Sequence, residues 1–283
     1  MTKLFCGKNI LDLSRPAVMG ILNLTPDSFF DGGRYSAISD QKKRVEQMIA
    51  EGASIIDIGA VSSRPGAAEV SEKEEMERLL PSLKAITAEF PEMIISVDTF
   101  RSAVACAAVE HGAGMINDIY GGRYEPGMME NVASLKVPYI LMHLKGTPAT
   151  MQINPSYSDV VAEVYFFFEQ LLVRCHETGL SQIIIDPGFG FGKTVEQNFT
   201  LLSNLKTFKA LGKPIVAGLS RKSMINAVLH TSPDEAMNGA TVLNTIALLK
   251  GADILRVHDV KEAVEAVKLV IQTFPDLLSE KQI

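Results

Sequence analysis

Arg256 and His258 stand two residues apart at the end of a largely apolar stretch, "ADILRVHDV" (252–260). Side chains two apart in a β-strand point to the same face, so this spacing predicts a guanidinium and an imidazole that act together. That pair is typical of a site that binds an anion, most often a phosphate. Asn23, at the end of the first candidate strand, and Arg64, in the loop after the second, are expected to join this anion site. A divalent cation could complete it, because Mg2+ is usually held by one or two protein oxygens together with substrate phosphates.

Other apolar runs also end in polar residues. Asp98, Asn117 and Asp186 end three of them. If these runs are parallel strands, their ends meet, and two carboxylates with an amide suit a flat heterocycle whose ring edges need matched donors and acceptors. Asp57 in "IIDIGA" lies within its run, and this position favours a role in strand register over a role in the site.

Two motifs suggest other chemistry and are interpreted more simply. "GFGFGKT" (188–194) resembles a phosphate-binding P-loop, but it has three residues between its glycines where that motif needs four. We interpret it as a flexible loop over the pocket, with Phe191 available to stack. Lys222 is a candidate Schiff-base lysine, but it stands at the start of a helix rather than in a strand. Met142 and His143 are expected to line the pocket wall.

Short β-branched runs alternate with helical patterns along the chain. The candidate strands are 18–24, 54–59, 94–98, 115–119, 139–143, 183–186, 215–219 and 254–257. Strand–helix alternation predicts a parallel sheet, and eight units in 283 residues match a closed (β/α)8 TIM barrel, an α/β fold, as a single domain over 1–283. An open doubly wound sheet is the alternative, but no GxGxxG follows the first strand. A short N-terminal hairpin is expected before the barrel.

Composition narrows the class of protein. The net charge of −6 argues against a nucleic-acid binder, and no apolar run approaches the roughly 18 residues of a membrane span. The three cysteines are scattered without CxxC spacing, so neither a disulfide framework nor a zinc site is indicated. The N-terminal segment lacks the apolar stretch of a signal peptide. A cytoplasmic protein in a reducing compartment is expected.

Seven motifs together resemble the dihydropteroate synthase family, in the family's order and over nearly the whole chain. They are "GILNLTPDSFFDGG" (20–33), "SSRPGA" (62–67), "SVDTFR" (96–101), "INDIYG" (116–121), "IDPGFGFGK" (185–193), "GLSRKS" (218–223) and "RVHD" (256–259). The resemblance implies a (β/α)8 barrel that joins 6-hydroxymethyl-7,8-dihydropterin diphosphate to p-aminobenzoate and releases pyrophosphate in folate biosynthesis. It also implies Mg2+, a homodimer and competition by sulfonamides.

The resemblance assigns roles to residues of this chain. For the pterin it implies Asp98, Asn117, Met142, Asp186, Gly218 and Lys222. For p-aminobenzoate it implies Phe29, Ser63, Pro65, Phe191 and Ser223. For the diphosphate it implies Asn23, Arg64, Arg256 and His258, with Asn23 at the metal. The catalytic group would be Asp31, Arg64, Asp98, Lys222, Arg256 and His258.

The chain departs from the family's common "ESTRPG" at two positions, where Val61 replaces the Glu and Ser63 replaces the Thr. These changes bear on how the second loop is anchored.

The reaction itself suggests a mostly electrostatic mechanism. A methylene carbon that carries diphosphate on an electron-rich pterin can ionise before the arylamine attacks. Cations and Mg2+ would absorb the charge of the leaving group, and Asp98 or Asp186 would stabilise positive charge on the ring.

Two other functions remain open at this point. A methyltetrahydrofolate–corrinoid methyltransferase would share the barrel and the pterin-binding carboxylates but has no diphosphate to hold, so Arg64, Arg256 and His258 argue against it. A non-catalytic pterin-binding protein is the second alternative, and the complete "DSFFDGG" loop (27–33) argues against it.

Overall fold

Eight parallel strands surround the centre of the protein. The computed structural model describes residues 3–24, 37–62 and 70–276. Its barrel strands are β3 (Ala17–Asn23), β4 (Ile55–Gly59), β5 (Ile94–Asp98), β6 (Met115–Asp118), β7 (Tyr139–Met142), β8 (Ile183–Asp186), β9 (Val216–Ala217) and β10 (Ile254–Val257). They pair in the order β8-β7-β6-β5-β4-β3-β10-β9, and a parallel bridge between Ile185 and Ile215 joins the two ends. The predicted α/β barrel is confirmed.

The strand bounds agree closely with those predicted from sequence, except at the seventh strand of the barrel. The run 215–219 was expected there, but β9 holds two residues. Ile215 lies outside β9 and forms an isolated bridge to Ile185. The chain then leaves the sheet at Gly218, where it turns toward the next helix.

Helices cover the outside of the barrel. Within the described part of the chain they are α1 (Ile38–Glu51), α2 (Glu72–Glu89), α3 (Ser102–Glu110), α4 (Met128–Leu135), α5 (Val160–Glu177), α6 (Val195–Ser203), α7 (Ser223–Leu229), α8 (Met237–Leu249) and α9 (Val260–Thr273). Local sequence starts several of them. Thr194 and Gln197 form a reciprocal capping box at α6, and the side chain of Asp159 accepts from the first amides of α5. None of the described helices is both long and apolar enough to cross a membrane.

A hairpin of β1 (Lys3–Cys6) and β2 (Asn9–Asp12) closes the N-terminal end of the barrel, as expected. Its buried side chains Leu4 and Leu11 belong to one apolar cluster with an inward-facing residue from each of the eight barrel strands. Those strand residues are Met19, Ile55, Ile94, Met115, Ile140, Ile184, Val216 and Ile254. This end of the barrel is therefore a filled apolar core.

Strand alternation makes the next inward layer polar. Residues two positions further along a strand face the same side, so they also point into the barrel. In this layer lie Ile21, Asp57, Ser96, Asn117, Met142, Asp186, Gly218 and Arg256, five of which are polar or charged. The interior thus changes from apolar to hydrogen-bonding within one layer, at the end of the barrel that the hairpin leaves open.

Candidate active site

A cleft opens at the carboxyl ends of the strands, where the polar layer meets the loops. It encloses roughly 360 Å3 including its mouth. Its walls are formed by Asp98, Asn117, Ile119, Met142, Asp186, Phe189, Phe191, Gly218, Lys222 and Arg256. All six residues that sequence resemblance assigned to a pterin therefore face one cleft.

Arg256 organises the floor of this cleft. Its Nε donates to Oδ2 of Asp57 over 2.7 Å, and its Nη2 donates to Oδ2 of Asp98 over 2.9 Å. The amide of Asn117 donates to the same Oδ2 of Asp57 over 3.1 Å. A fully buried carboxylate therefore links the cation to the amide and fixes the direction of both side chains.

Sequence reasoning favoured a register role for Asp57, and it missed this network. A signal was present, because Asp57 interrupts a run that is apolar on both faces. In a parallel sheet covered by helices, a charged residue in such a run must point into the barrel and find a partner there. Its other oxygen, Oδ1, is buried and has no partner among the described residues.

Burial shifts the pKa values of the ionisable side chains in the cleft. It raises the pKa of Asp98 to about 7, against the opposing influence of Arg256 and with support from the negative charge of Asp57. It also raises the pKa of Asp186, although the backbone amide of Gly188 donates to that carboxylate over 2.7 Å. For Arg256 burial disfavours the charge, but the two facing carboxylates outweigh it and keep the pKa above its ordinary value.

Lys222 enters the cleft from the N-cap position of α7. Its Nζ lies 4.2 Å from the centre of the Phe191 ring, close enough for a cation–π interaction. Burial and the nearby Arg256 lower its pKa to about 8, against the carboxylates of Asp186 and Asp98. Phe191 lies in the loop after β8, where a stacking residue was expected.

Met142 lines the cleft as expected, but the next residue does not. The ring of His143 contacts Lys193, whose ammonium lies 3.0 Å from His143 Nδ1. Both side chains are buried behind the loop that carries Phe191. The sequence interpretation assigned no role to Lys193.

His258 and Arg256 contact different groups. Nδ1 of His258 lies 3.1 Å from the hydroxyl of Ser220, while Arg256 reaches the carboxylates across the barrel. Nearby, Arg221 has a left-handed backbone with φ of 55° and pairs with Asp259 at 2.7 Å. This pair holds the turn that presents Lys222.

Asn23 ends β3 beside Gly59 of β4. Its Oδ1 would lie 3.9 Å from a Cβ placed on Gly59, and Oδ2 of Asp98 would lie 3.8 Å from the same point. The two oxygens therefore flank one small space at the mouth of the barrel. Ser223, the first residue of α7, follows Lys222 directly.

Five expected site residues lie outside the described residues. They are Phe29, Asp31, Ser63, Arg64 and Pro65. The Val61 and Ser63 departures concern the same loop. Val70 is the first described residue after this loop, and its carbonyl accepts from Nη2 of Arg101 over 2.6 Å. The Arg101 guanidinium also pairs with buried Glu75.

The arrangement can bind a flat, polar ring and stabilise charge near it. The cleft offers carboxylate and amide groups for ring edges, an ammonium beside an aromatic face, and a guanidinium already oriented by two carboxylates. Fixed charges in a buried site act strongly because they do not have to reorganise.

One family model and three known proteins are similar to this chain. The family model described as "Pterin binding enzyme" matches residues 19–258. The chain is 47% identical over 273 residues to the dihydropteroate synthase of Escherichia coli K12, covering 96% of each chain. It is also similar to the crystal structure of Yersinia pestis dihydropteroate synthase in a sulfonamide drug complex, with 42% identity, a TM-score of 0.93, and 96% and 99% of the two chains covered. The dihydropteroate synthase of Xanthomonas albilineans in complex with 7,8-dihydropteroate matches at 38% identity and a TM-score of 0.85, covering 96% and 98%.

Proposed function

The chain belongs to the family of pterin-binding enzymes as a dihydropteroate synthase, and from this premise we propose how its cleft carries out the reaction. It joins 6-hydroxymethyl-7,8-dihydropterin diphosphate to p-aminobenzoate and releases pyrophosphate in folate biosynthesis. The bond between the methylene carbon and the diphosphate oxygen breaks. A bond from that carbon to the arylamine nitrogen forms, and the nitrogen loses a proton.

The pterin ring is proposed to occupy the polar layer of the barrel. One observation carries this assignment: two carboxylates, an amide and an ammonium converge on one cleft, one layer above the apolar core of the barrel. The carboxylates would accept from ring N–H groups, and the ammonium would donate to a ring acceptor. The proposed pterin-binding residues are Asp98, Asn117, Met142, Asp186, Gly218 and Lys222.

The carboxylates also suit the developing charge of the reaction. As the diphosphate leaves, positive charge spreads from the methylene carbon into the pterin. Asp98 and Asp186 lie where they would stabilise that charge, and Arg256 would stabilise the departing diphosphate. Asn23, Arg64 and His258 are proposed to complete the diphosphate site. Asp31 is proposed to act in the loop that follows the first barrel strand.

Mg2+ is proposed to accompany the diphosphate. Among the described residues no group of three His, Cys, Asp or Glu side chains is arranged to hold a metal ion. An ion held mainly by the diphosphate and water fits this donor set, with the side-chain oxygen of Asn23 as its protein ligand. When bound, Mg2+ would offset part of the charge that develops on the leaving group.

p-Aminobenzoate is proposed to bind at the open side of the cleft. Phe191 lines the cleft there, and Ser223 begins the adjacent helix α7. Phe29, Ser63 and Pro65 are proposed to complete this site from the two loops. The arylamine is neutral at pH 7, so it needs orientation toward the methylene carbon rather than activation. Sulfonamides, which also carry an arylamine, are proposed to compete for this position.

A homodimer is proposed to form through α7 and α8. These neighbouring helices expose large apolar side chains, namely Val228, Leu229, Met237, Val242 and Leu249. A second copy of the chain would cover such a patch. Sedimentation equilibrium should give a dimer for the wild type and a shift toward monomer for Val242→Glu. An unchanged mass would exclude this face.

A cytoplasmic location is proposed. All three cysteines carry free thiols. Burial raises the pKa of Cys6 to about 12 and that of Cys175 to about 11, which keeps both thiols protonated and unreactive.

The decisive experiment measures pyrophosphate release and dihydropteroate formation from the pterin diphosphate. The assay is run with and without p-aminobenzoate, and with Mg2+ or EDTA. We expect pyrophosphate and dihydropteroate in equal amounts, and we expect neither product when p-aminobenzoate or Mg2+ is absent. The matched variant Asp186→Asn should remain folded by circular dichroism and lose both products. A folded wild type that binds pterin and forms neither product would favour the methyltransferase or binding-protein alternative.

A further inference from the structure

The loop Gly188–Gly192 carries Phe191 to the cleft on a backbone with little stiffness of its own. Gly188, Gly190 and Gly192 all have positive φ, at 71°, 80° and 64°. Glycine pays the largest entropy cost for a fixed conformation, so a loop with this composition needs outside contacts to hold one shape. The Phe191 ring nevertheless lies against Lys222 at a defined distance of 4.2 Å.

Side chains around the loop supply such contacts: Gln152 and Asn198 hydrogen-bond to Gly190, and Tyr157 to Gly192. Lys193 is the side chain that holds Phe191 itself. Its Nζ donates to the carbonyl of Gly188 over 2.8 Å and to that of Phe191 over 3.1 Å. Its third neighbour is Nδ1 of His143, at 3.0 Å. Burial lowers the pKa of Lys193 to about 7, while the nearby Asp186 favours the charged form. As an ammonium the side chain has three donors, and each of them faces one acceptor here, although the side chain is only 3% exposed.

His143 is suited to the acceptor role. Burial, with the positive charges of Lys193 and Arg123, lowers its pKa to about 2, so the imidazole stays neutral. Nδ1 then carries the lone pair that accepts from Lys193, and Nε2 carries the proton. The backbone amide of His143 donates to the carbonyl of Asp186 over 2.9 Å, which ties this support to strand β8.

We propose that Lys193 is a positioning residue that holds Phe191 in place for p-aminobenzoate. Its ammonium fixes the carbonyl of the residue whose ring lines the cleft. Its hydrogen bonds go to the loop and to His143, and its charge also acts on Asp186 and Lys222. The proposal rests on the proposed function, which assigns Phe191 to the p-aminobenzoate site. Burying an ammonium is costly unless it is fully hydrogen-bonded, and the buried carbonyl of Gly188 and the partly buried carbonyl of Phe191 supply two of the bonds that offset this cost.

The first test compares Lys193→Met with the wild type in steady-state and binding assays. Methionine keeps the length of the side chain and removes all three donors. KM for p-aminobenzoate should rise about tenfold, the effect of losing hydrogen bonds from a charged group, while the Kd of 6-hydroxymethylpterin changes less than about threefold. Lys268→Met, at an exposed position on α9, is the matched control and should change neither value.

A second test does not depend on catalysis. The chain contains no tryptophan, so Phe191→Trp introduces a single fluorescent reporter into the loop. Acrylamide should quench this reporter several-fold more strongly when Lys193→Met is added, because the loop then samples open conformations. Lys193→Gln replaces Lys193→Met if the methionine variant does not fold.

The results separate the two proposals. A folded wild type without synthase activity would contradict the proposed function. The quenching comparison would still test whether Lys193 holds the loop in place. Unchanged quenching together with an unchanged KM for p-aminobenzoate would overturn the role of Lys193. Equal losses of pterin and p-aminobenzoate binding with a lower Tm would make it a general stability contact and would also overturn the proposal.

Discussion

Arg256 donates from Nε to Oδ2 of Asp57 over 2.7 Å, and this bond crosses from β10 to β4 over the intervening strand β3. The guanidinium is therefore oriented before any ligand arrives. Preorganised charge stabilises a transition state without a reorganisation cost, so we expect the buried carboxylate of Asp57 to contribute to the reaction through Arg256.

Asp57→Asn should weaken this preorganisation. The amide would offer Arg256 and Asn117 a neutral acceptor, or a competing donor, in place of the shared carboxylate. We expect kcat to fall roughly 10- to 100-fold, which corresponds to the loss of a hydrogen bond to a charged group. Asp253→Asn is the control, because Asp253 is also a buried aspartate but lies at the other end of the barrel, where it accepts from Lys209 and the amide of Ile215. It should lower Tm without changing the affinity for pterin. Equal kinetic effects in both variants would contradict the role of Asp57.

Arg256→Ala should weaken binding of the diphosphate group and leave binding of the pterin ring largely unchanged. We expect kcat to fall by roughly 100- to 1000-fold, as for removal of one donor to a developing anion. The Kd of the pterin diphosphate should weaken far more than that of the pterin alcohol, which lacks the anion. Calorimetry with both ligands measures this ratio, and Arg174→Ala on the exposed side of α5 is the control. Equal losses for the two ligands would count against a diphosphate contact.

Pterin binding should depend on pH through Asp98. Its pKa is raised to about 7, mainly by burial, so the carboxylate that accepts from the ring is formed only as the pH rises through that value. The affinity for the pterin alcohol should therefore increase between pH 5.5 and pH 8. Asp98→Asn should bind weakly and without this pH dependence. A wild-type affinity that stays flat over the range would be inconsistent with this assignment.

His143 should make folding stability fall in mild acid. Burial lowers its pKa to about 2 in the folded protein. Below pH 6.5, near the ordinary pKa of histidine, the unfolded chain therefore binds a proton at this residue and the folded protein does not. Stability present above pH 6.5 is thus lost as the pH falls, by at most about 1.4 kcal/mol per pH unit. Between pH 7.5 and pH 5.5 the wild type should lose about 1.4 kcal/mol more than His143→Gln in urea unfolding.

An independent measurement checks the same residue. The Cε1 chemical shift of His143 should stay constant between pH 5 and pH 8, whereas the exposed His111 in the same spectrum provides the comparison. A titration of His143 near pH 6.5 would contradict both expectations.

Much of this protein could be predicted from its sequence because the relevant signals are local. Alternation of apolar runs with helical patterns located the eight strands, since burial on both faces makes each strand a continuous apolar run. Asp98, Asn117 and Asp186 were recognised because each stands at the end of such a run. The motif "GFGFGK" was interpreted from its glycine spacing as a loop over the pocket rather than a P-loop, and the structure places Phe191 of that loop on the cleft.

The tertiary structure decided how these residues are connected. Asp57 and Arg256 are 199 positions apart, and only closure of the barrel brings their strands to either side of β3. His143 and Lys193 are 50 positions apart and meet behind the loop because β7 pairs with β8. No local pattern encodes such distances. The sequence by itself determined that strand-end side chains such as Asp98, Asn117 and Asp186 face the cleft, because strand periodicity is local. The pairing of charges across the barrel depends on how the strands close.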